Sequence, residues 1–145
     1  MPRFYIPLFL LLVLSYPAMA ARDVIAGPMT GDVMQVLDGD TVTVRVRIWI
    51  GQSIETSVRI NGIDTPEMRG KCPREKQMAA AAQAELARLL HNGTIRLTNI
   101  HTGKYAGRIV ADAETADGKN IRAHMIEKGL ARPYGGEKRG AWCAV

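Results

Sequence analysis

The sequence predicts a mainly β protein, a small closed barrel with two helices packed on it. Three observations carry this. Val42, Val44, Val46 and Ile48 alternate with Thr41, Thr43, Arg45 and Arg47, the period-two pattern of a half-buried strand. One stretch, Pro73 to His91, has helical periodicity and sits between strand-like runs. The order of elements is about three strands, a helix, two strands and a helix, which suits a closed barrel rather than a parallel sheet with crossover helices. At 145 residues and 15.9 kDa the chain suits one domain with one modest core. Composition excludes a repeat array, a collagen-like chain and a disordered chain.

From the N-terminus, residues 1–20 have the features of an export signal. Arg3 supplies the positive start, Leu8 to Leu14 form an unbroken apolar centre, and Ala18-Met19-Ala20 fits small-x-small cleavage. A membrane anchor is the alternative, but the apolar stretch is barely long enough to span a bilayer and carries Pro7 and Pro17, which favours cleavage. The expectation is therefore a signal peptide over 1–20, a lead-in segment over 21–31 and a single domain over 32–145. The mature protein would be periplasmic or secreted, with no membrane attachment after cleavage. Cysteine usage agrees, because Cys72 and Cys143 are the only two and an oxidising compartment permits a bridge between them. Such a bridge would close a long loop, and chain entropy alone puts its contribution at about 4 kcal/mol.

Within the mature chain, Gly27-Pro28 breaks the lead-in and Val33 to Leu37 forms a short strand. Asp38-Gly39 turns the chain into the alternating strand, and Gly51 marks the tip of a hairpin. Ile54, Thr56, Val58 and Ile60 form the return strand, with Arg59 and Asn61 on its other face. The helix that follows has Pro in its first turn and Asn92-Gly93 at its end. Met78, Ala82, Leu86, Leu89 and Leu90 share its inner face. Thr94 to Asn99 and Arg108 to Ala113 read as further strands, and Asn120 caps a short helix from Ile121 that ends at Gly129.

Motifs narrow the chemistry by their absence. The chain has no Walker loop, no dinucleotide glycine fingerprint and no His-Glu-x-x-His. Neither Ser53 nor Ser57 sits in a nucleophile elbow, and His91, His101 and His124 lack metal-ligand spacing. His124 reads as a surface or packing residue.

Three segments combine acids with basic residues near strand ends: Asp38-Gly39-Asp40-Thr41, Arg59 to Glu67, and Lys104-Tyr105-Ala106-Gly107-Arg108. Singly, the first is a turn, the second a helix start and the third a solvated strand end. Together they suggest one site. Asp40 and Asp64 offer hard oxygen ligands to a divalent cation, and Glu67, one turn on, can hold a water. Arg59 and Arg108 can clamp a phosphate, because guanidinium matches phosphate oxygens in a fork and keeps its charge. Carboxylates, metal and two arginines are the parts that attack of water on a phosphodiester needs.

These segments resemble the staphylococcal nuclease (thermonuclease) family. The resemblance runs from about Val33 to Trp142. It is carried by Asp38-Gly39-Asp40-Thr41, by the Arg59 to Glu67 run and by Lys104-Tyr105-x-Gly107-Arg108, with Gly129-Leu130-Ala131 in support. It implies a five-stranded OB-fold Greek-key barrel with two packed helices. It also implies that Asp40 and Asp64 bind Ca²⁺ through carboxylates and Thr65 through its backbone carbonyl. Glu67 would orient or deprotonate the attacking water, with Arg59 and Arg108 on the phosphate. Lys104, Tyr105 and Tyr134 would meet the substrate. The family cleaves single-stranded or frayed DNA, and RNA; a monomer is expected. Three departures stand out: the hairpin bearing Trp49 is longer, Gly103 replaces an Asp, and Ala106 is inserted before Gly107-Arg108. Trp142 reads as an anchor beside Cys143. Two other readings share the fold: an OB module that binds nucleic acid or protein without cleaving, and an exported domain whose acids hold Ca²⁺ for stability. Neither needs Arg59, Glu67 and Arg108 together.

Overall fold

The computed structural model describes Met1, residues 23–104 and residues 107–143. The expected signal peptide and Tyr105 lie outside the described residues, apart from Met1. Ten elements follow one another. They are β1 (Val24–Ile25), β2 (Met29–Asp38), β3 (Thr41–Trp49), β4 (Gln52–Ile60), β5 (Ile63–Asp64), α1 (Pro73–Leu89), β6 (Thr94–Thr102), β7 (Ile109–Thr115), α2 (Ile121–Glu127) and β8 (Arg132–Pro133). No described helix is long and apolar enough to cross a membrane.

β2, β3, β4, β6 and β7 close into the expected five-stranded barrel. β3 pairs antiparallel with β2 and β4, β2 with β6, and β6 with β7, while β4 and β7 meet in parallel at Val58–Ile109 to Ile60–Ala111. Alternation along β3 drives this closure. Val42, Val44 and Val46 point inward and are buried, with Arg45 and Arg47 outside. Val58, Ile60, Ile95, Leu97, Ala111 and Ala113 complete the interior.

The helices seal the barrel. Cys72 caps α1, its sulfur accepting from the Glu75 N–H at 3.4 Å, with Pro73 in the first turn. Ala79, Ala82, Leu86 and Leu89 form the buried face of α1, while Met78, expected there, is only half-buried. The Asn120 side chain caps α2 by accepting from Ala123 N–H at 2.9 Å, and Ile121 and Met125 pack inward. His124 is a packing residue, as expected: its Nε2 lies 2.6 Å from Glu85 of α1.

The structure differs from the sequence reading mainly at strand ends. β2 begins at Met29, not Val33, and β1 pairs with β6 inside the stretch expected to be lead-in. Gly31, expected to close the lead-in, lies inside β2, where the backbone passes close over β3. A Cβ on Gly31 would lie 3.2 Å from the Val44 Cβ. β6 and β7 each run on past their expected ends, and β5 and β8 were missed because two-residue strands have no periodicity to read. The β3–β4 hairpin extends beyond the barrel, with Trp49 and Ile50 exposed at its tip.

Two predictions follow from this packing. Leu86→Ala should cost about 2–5 kcal/mol, because it empties a fully buried site between helix and barrel; urea unfolding measures it. Hydrogen bonds from Arg88 and then from His124 lower the Glu85 pKa from 4.5 to about 2. A carboxylate depressed on folding stabilises above its unfolded pKa, and that stabilisation is lost as pH falls through the folded value. Tm should therefore drop between about pH 4.5 and pH 2, and Glu85→Gln should flatten that part of the profile.

Candidate active site

Asp40 sits in the turn between β2 and β3. The Asp38 carboxylate accepts from the Asp40 N–H at 3.1 Å and tightens this turn. Gly39 lets it lie flat on α1, because a Cβ there would come within 2.6 Å of the Ala82 Cβ and 3.0 Å of Thr65. The Asp40 carboxylate is thus carried inside, 1 % exposed. It accepts from Arg59 Nη1 at 2.8 Å, the Thr41 hydroxyl at 2.8 Å and the Thr65 N–H at 3.3 Å. Burial pushes its pKa up to about 6, against the pull of Arg59.

Arg59 stands opposite Thr41 on β4, so strand register delivers it to Asp40. Its second Nη donates to the Ile63 carbonyl at 3.1 Å and lies 3.8 Å from Asp64. The Tyr134 ring is 5.9 Å from the guanidinium carbon, within cation–π range.

Asp64 is held by the β5–β8 pairing, opposite Arg132, and is 3 % exposed. One carboxylate oxygen accepts from the indole N–H of Trp142 at 3.1 Å, and the other accepts from Arg139. Trp142 is itself covered by the Arg132 guanidinium, 3.6 Å from the ring centroid. Glu67 lies on the loop between β5 and α1, its side chain half exposed and paired with Arg139. That loop wraps a second, buried acid: Glu75 accepts from Glu67 N–H at 3.4 Å and Lys71 N–H at 3.0 Å. Cys72 ends the loop in a disulfide to Cys143, with Cα atoms 6.0 Å apart, so the expected bridge is present.

The bridge brings the C-terminal segment back across the acids. Arg139 is ion-paired with both Asp64 and Glu67, and its Nη2 lies 4.0 Å from Asp40. Partial burial works against its charge, but the Asp64 hydrogen bond and the Asp64 and Glu67 charges outweigh it and raise its pKa. Three carboxylates therefore surround one cation. A donor set of hard oxygens gathered around a positive centre fits a divalent metal.

Beside these acids opens a cleft of about 880 Å³, lined by Arg59, Lys104, Arg108, Tyr134 and Arg139 among others. Of the residues singled out in the sequence, the structure gathers Asp40, Asp64, Thr65, Arg59 and Glu67 into one cluster. It places Lys104, Arg108 and Tyr134 on the adjoining cleft. The Gly103 N–H donates to the Arg108 carbonyl at 2.7 Å, which closes the loop that bears Lys104. Two contributors escaped sequence reading, Arg139 and Glu75. The signal for Arg139 was the cysteine pair: Arg139 stands shortly before Cys143, as Glu67 stands shortly before Cys72.

A small barrel with buried acids, fixed guanidinium groups and an open basic cleft is built to handle phosphodiesters. Comparison with known proteins makes this specific. The family described as staphylococcal nuclease homologue matches residues 57–141. A protein named as an uncharacterized endonuclease from Escherichia coli is 30% identical over 133 residues, covering 91% of this chain and 74% of that protein. One of the same name from Escherichia coli O157:H7 is 29% identical over the same coverage. The chain belongs to the staphylococcal nuclease family: it is a nuclease, a phosphodiester hydrolase whose substrate is nucleic acid, in a family of generally metal-dependent enzymes.

Glu75→Ala should free the Glu67 and Lys71 amides of their buried acceptor and cost about 1–3 kcal/mol. Limited trypsin digestion should then cut faster after Arg69 or Lys71. An unchanged digestion rate would mean that Glu75 does not organise the loop.

Proposed function

We propose that this protein is an exported, Ca²⁺-dependent nuclease that hydrolyses DNA, preferring single strands, and RNA. The observation that carries this reading is the convergence of Asp40, Asp64 and Glu67 with Arg59 and Arg139, both of which line one cleft with Lys104, Arg108 and Tyr134. Asp40, Asp64 and the Thr65 backbone carbonyl would hold Ca²⁺, which supplies positive charge to neutralise the phosphate and lower the pKa of a nearby water.

The chain's own groups do the rest. Glu67 accepts the proton of the attacking water; its half-exposed side chain is open to the solvent that supplies the nucleophile. Arg59 is held by Asp40 and the Ile63 carbonyl on the wall of the cleft, so its guanidinium is already in place when charge develops on the phosphate. Arg108, exposed at the cleft just before β7, closes the clamp from the other side of the sequence. Lys104 contacts a flanking phosphate, and Tyr105 and Tyr134 receive bases. A base can stack on a tyrosine only when it leaves its own duplex stack, which favours single strands.

Export rests on residues 1–20 as a cleaved signal peptide, with the domain following as a monomer. The Cys72–Cys143 disulfide supports an oxidising compartment.

The test is digestion of denatured DNA, duplex DNA and RNA with Ca²⁺ or with a chelator. Denatured DNA and RNA should be degraded in Ca²⁺ and spared in chelator. Glu67→Ser and Arg59→Ala should each slow kcat by about a hundredfold or more, with unchanged circular dichroism. Wild-type rates in Glu67→Ser, which leaves both buried acids paired, would show that the water is activated elsewhere.

A further inference from the structure

Among the described residues Arg139 is the one cation paired with all three acids of the cluster, and no part of the proposed chemistry uses it. It is paired with Asp64 and Glu67 and lies 4.0 Å from Asp40. It does not sit there as a loose surface side chain. Four residues on, Cys143 is bonded to Cys72, and between them Trp142 is buried, donates to Asp64 and stacks under Arg132. Arg132 also donates to the Ala141 carbonyl at 3.1 Å, so the segment is fastened at several points. The disulfide joins it to the loop that carries Glu67, and a short tether of this kind raises the effective concentration of the guanidinium at the acids.

We propose that Arg139 is a tethered counter-cation: it holds Asp40, Asp64 and Glu67 together in the metal-free protein and competes with the divalent cation for them. This rests on the reading that these acids bind the metal. Three carboxylates this close repel one another, and two of them are buried, where an uncompensated charge is costly. The guanidinium settles that repulsion with groups the chain already owns. A metal ion then gains the acids only when Arg139 leaves, and its apparent affinity is reduced by the fraction of molecules in which the arm is seated. Release places a free guanidinium at the rim of the cleft that Arg139 lines, so loading of the metal and exposure of a further phosphate-binding group are one event. The disulfide sets how strongly the arm competes, because cutting it lengthens the tether.

The experiment is Ca²⁺ titration by calorimetry on the full mature protein and on Arg139→Gln, with Tm measured in chelator and in saturating Ca²⁺. For an arm seated in roughly 90 to 99 % of molecules, Arg139→Gln should bind Ca²⁺ about 10- to 100-fold more tightly. It should melt lower than wild type in chelator and regain most of that loss in Ca²⁺. Reducing the disulfide should tighten Ca²⁺ binding by wild type and leave Arg139→Gln unchanged. Equal or weaker Ca²⁺ binding by Arg139→Gln overturns the competition and leaves the metal reading intact. Failure of both proteins to bind Ca²⁺ overturns the metal reading and the competition with it.

Discussion

Two carboxylates buried at the barrel mouth govern the rest of this molecule. Asp40 and Asp64 are each almost wholly removed from solvent, and a buried carboxylate that lacks a partner either takes a proton or destabilises the fold. Everything around them answers that constraint. Arg59 reaches both acids from β4, Thr41 and the Thr65 amide satisfy Asp40, and Trp142 and Arg139 satisfy Asp64. At Asp40 burial outweighs the pull of Arg59 and raises the carboxyl pKa.

The covalent frame serves the same end. The bridge between Cys72 and Cys143 does more than close a loop, because its two ends flank the site. On one side Cys72 caps α1 and ends the loop that Glu75 organises, which positions Glu67. On the other, Cys143 anchors the segment that returns Trp142 and Arg139 to the acids. Stability and site geometry are therefore coupled through one bond: whatever loosens the C-terminal segment also alters the charge environment of Asp64.

Much of this was legible in the sequence. The strict alternation of β3 announced a half-buried strand, and the barrel followed from the order of elements. Asp38-Gly39-Asp40, the Arg59 to Glu67 run and Lys104 to Arg108 were readable as parts of one site because each places charged groups at a strand end. What escaped had a physical reason. β5 and β8 are too short for any periodicity, and only the close approach of β3 explains why β2 runs on through Gly31. Glu75 looks like an ordinary acid in the first turn of a helix, yet the preceding loop folds over it. Arg139 is one of many basic residues in a chain of net charge +5, and only its nearness to Cys143 sets it apart.

By itself the sequence determined the barrel, its two helices, the cysteine pair and the residue types of a phosphodiesterase site, because these depend on local periodicity, capping and short-range spacing. Only the tertiary structure decided which charges meet. Arg59 finds Asp40 through strand register, Arg132 faces Asp64 through a two-residue pairing, and Arg139 reaches Asp64 across most of the domain. Such pairings depend on three-dimensional distance and on exclusion of water, and neither is written into the spacing of residues along the chain.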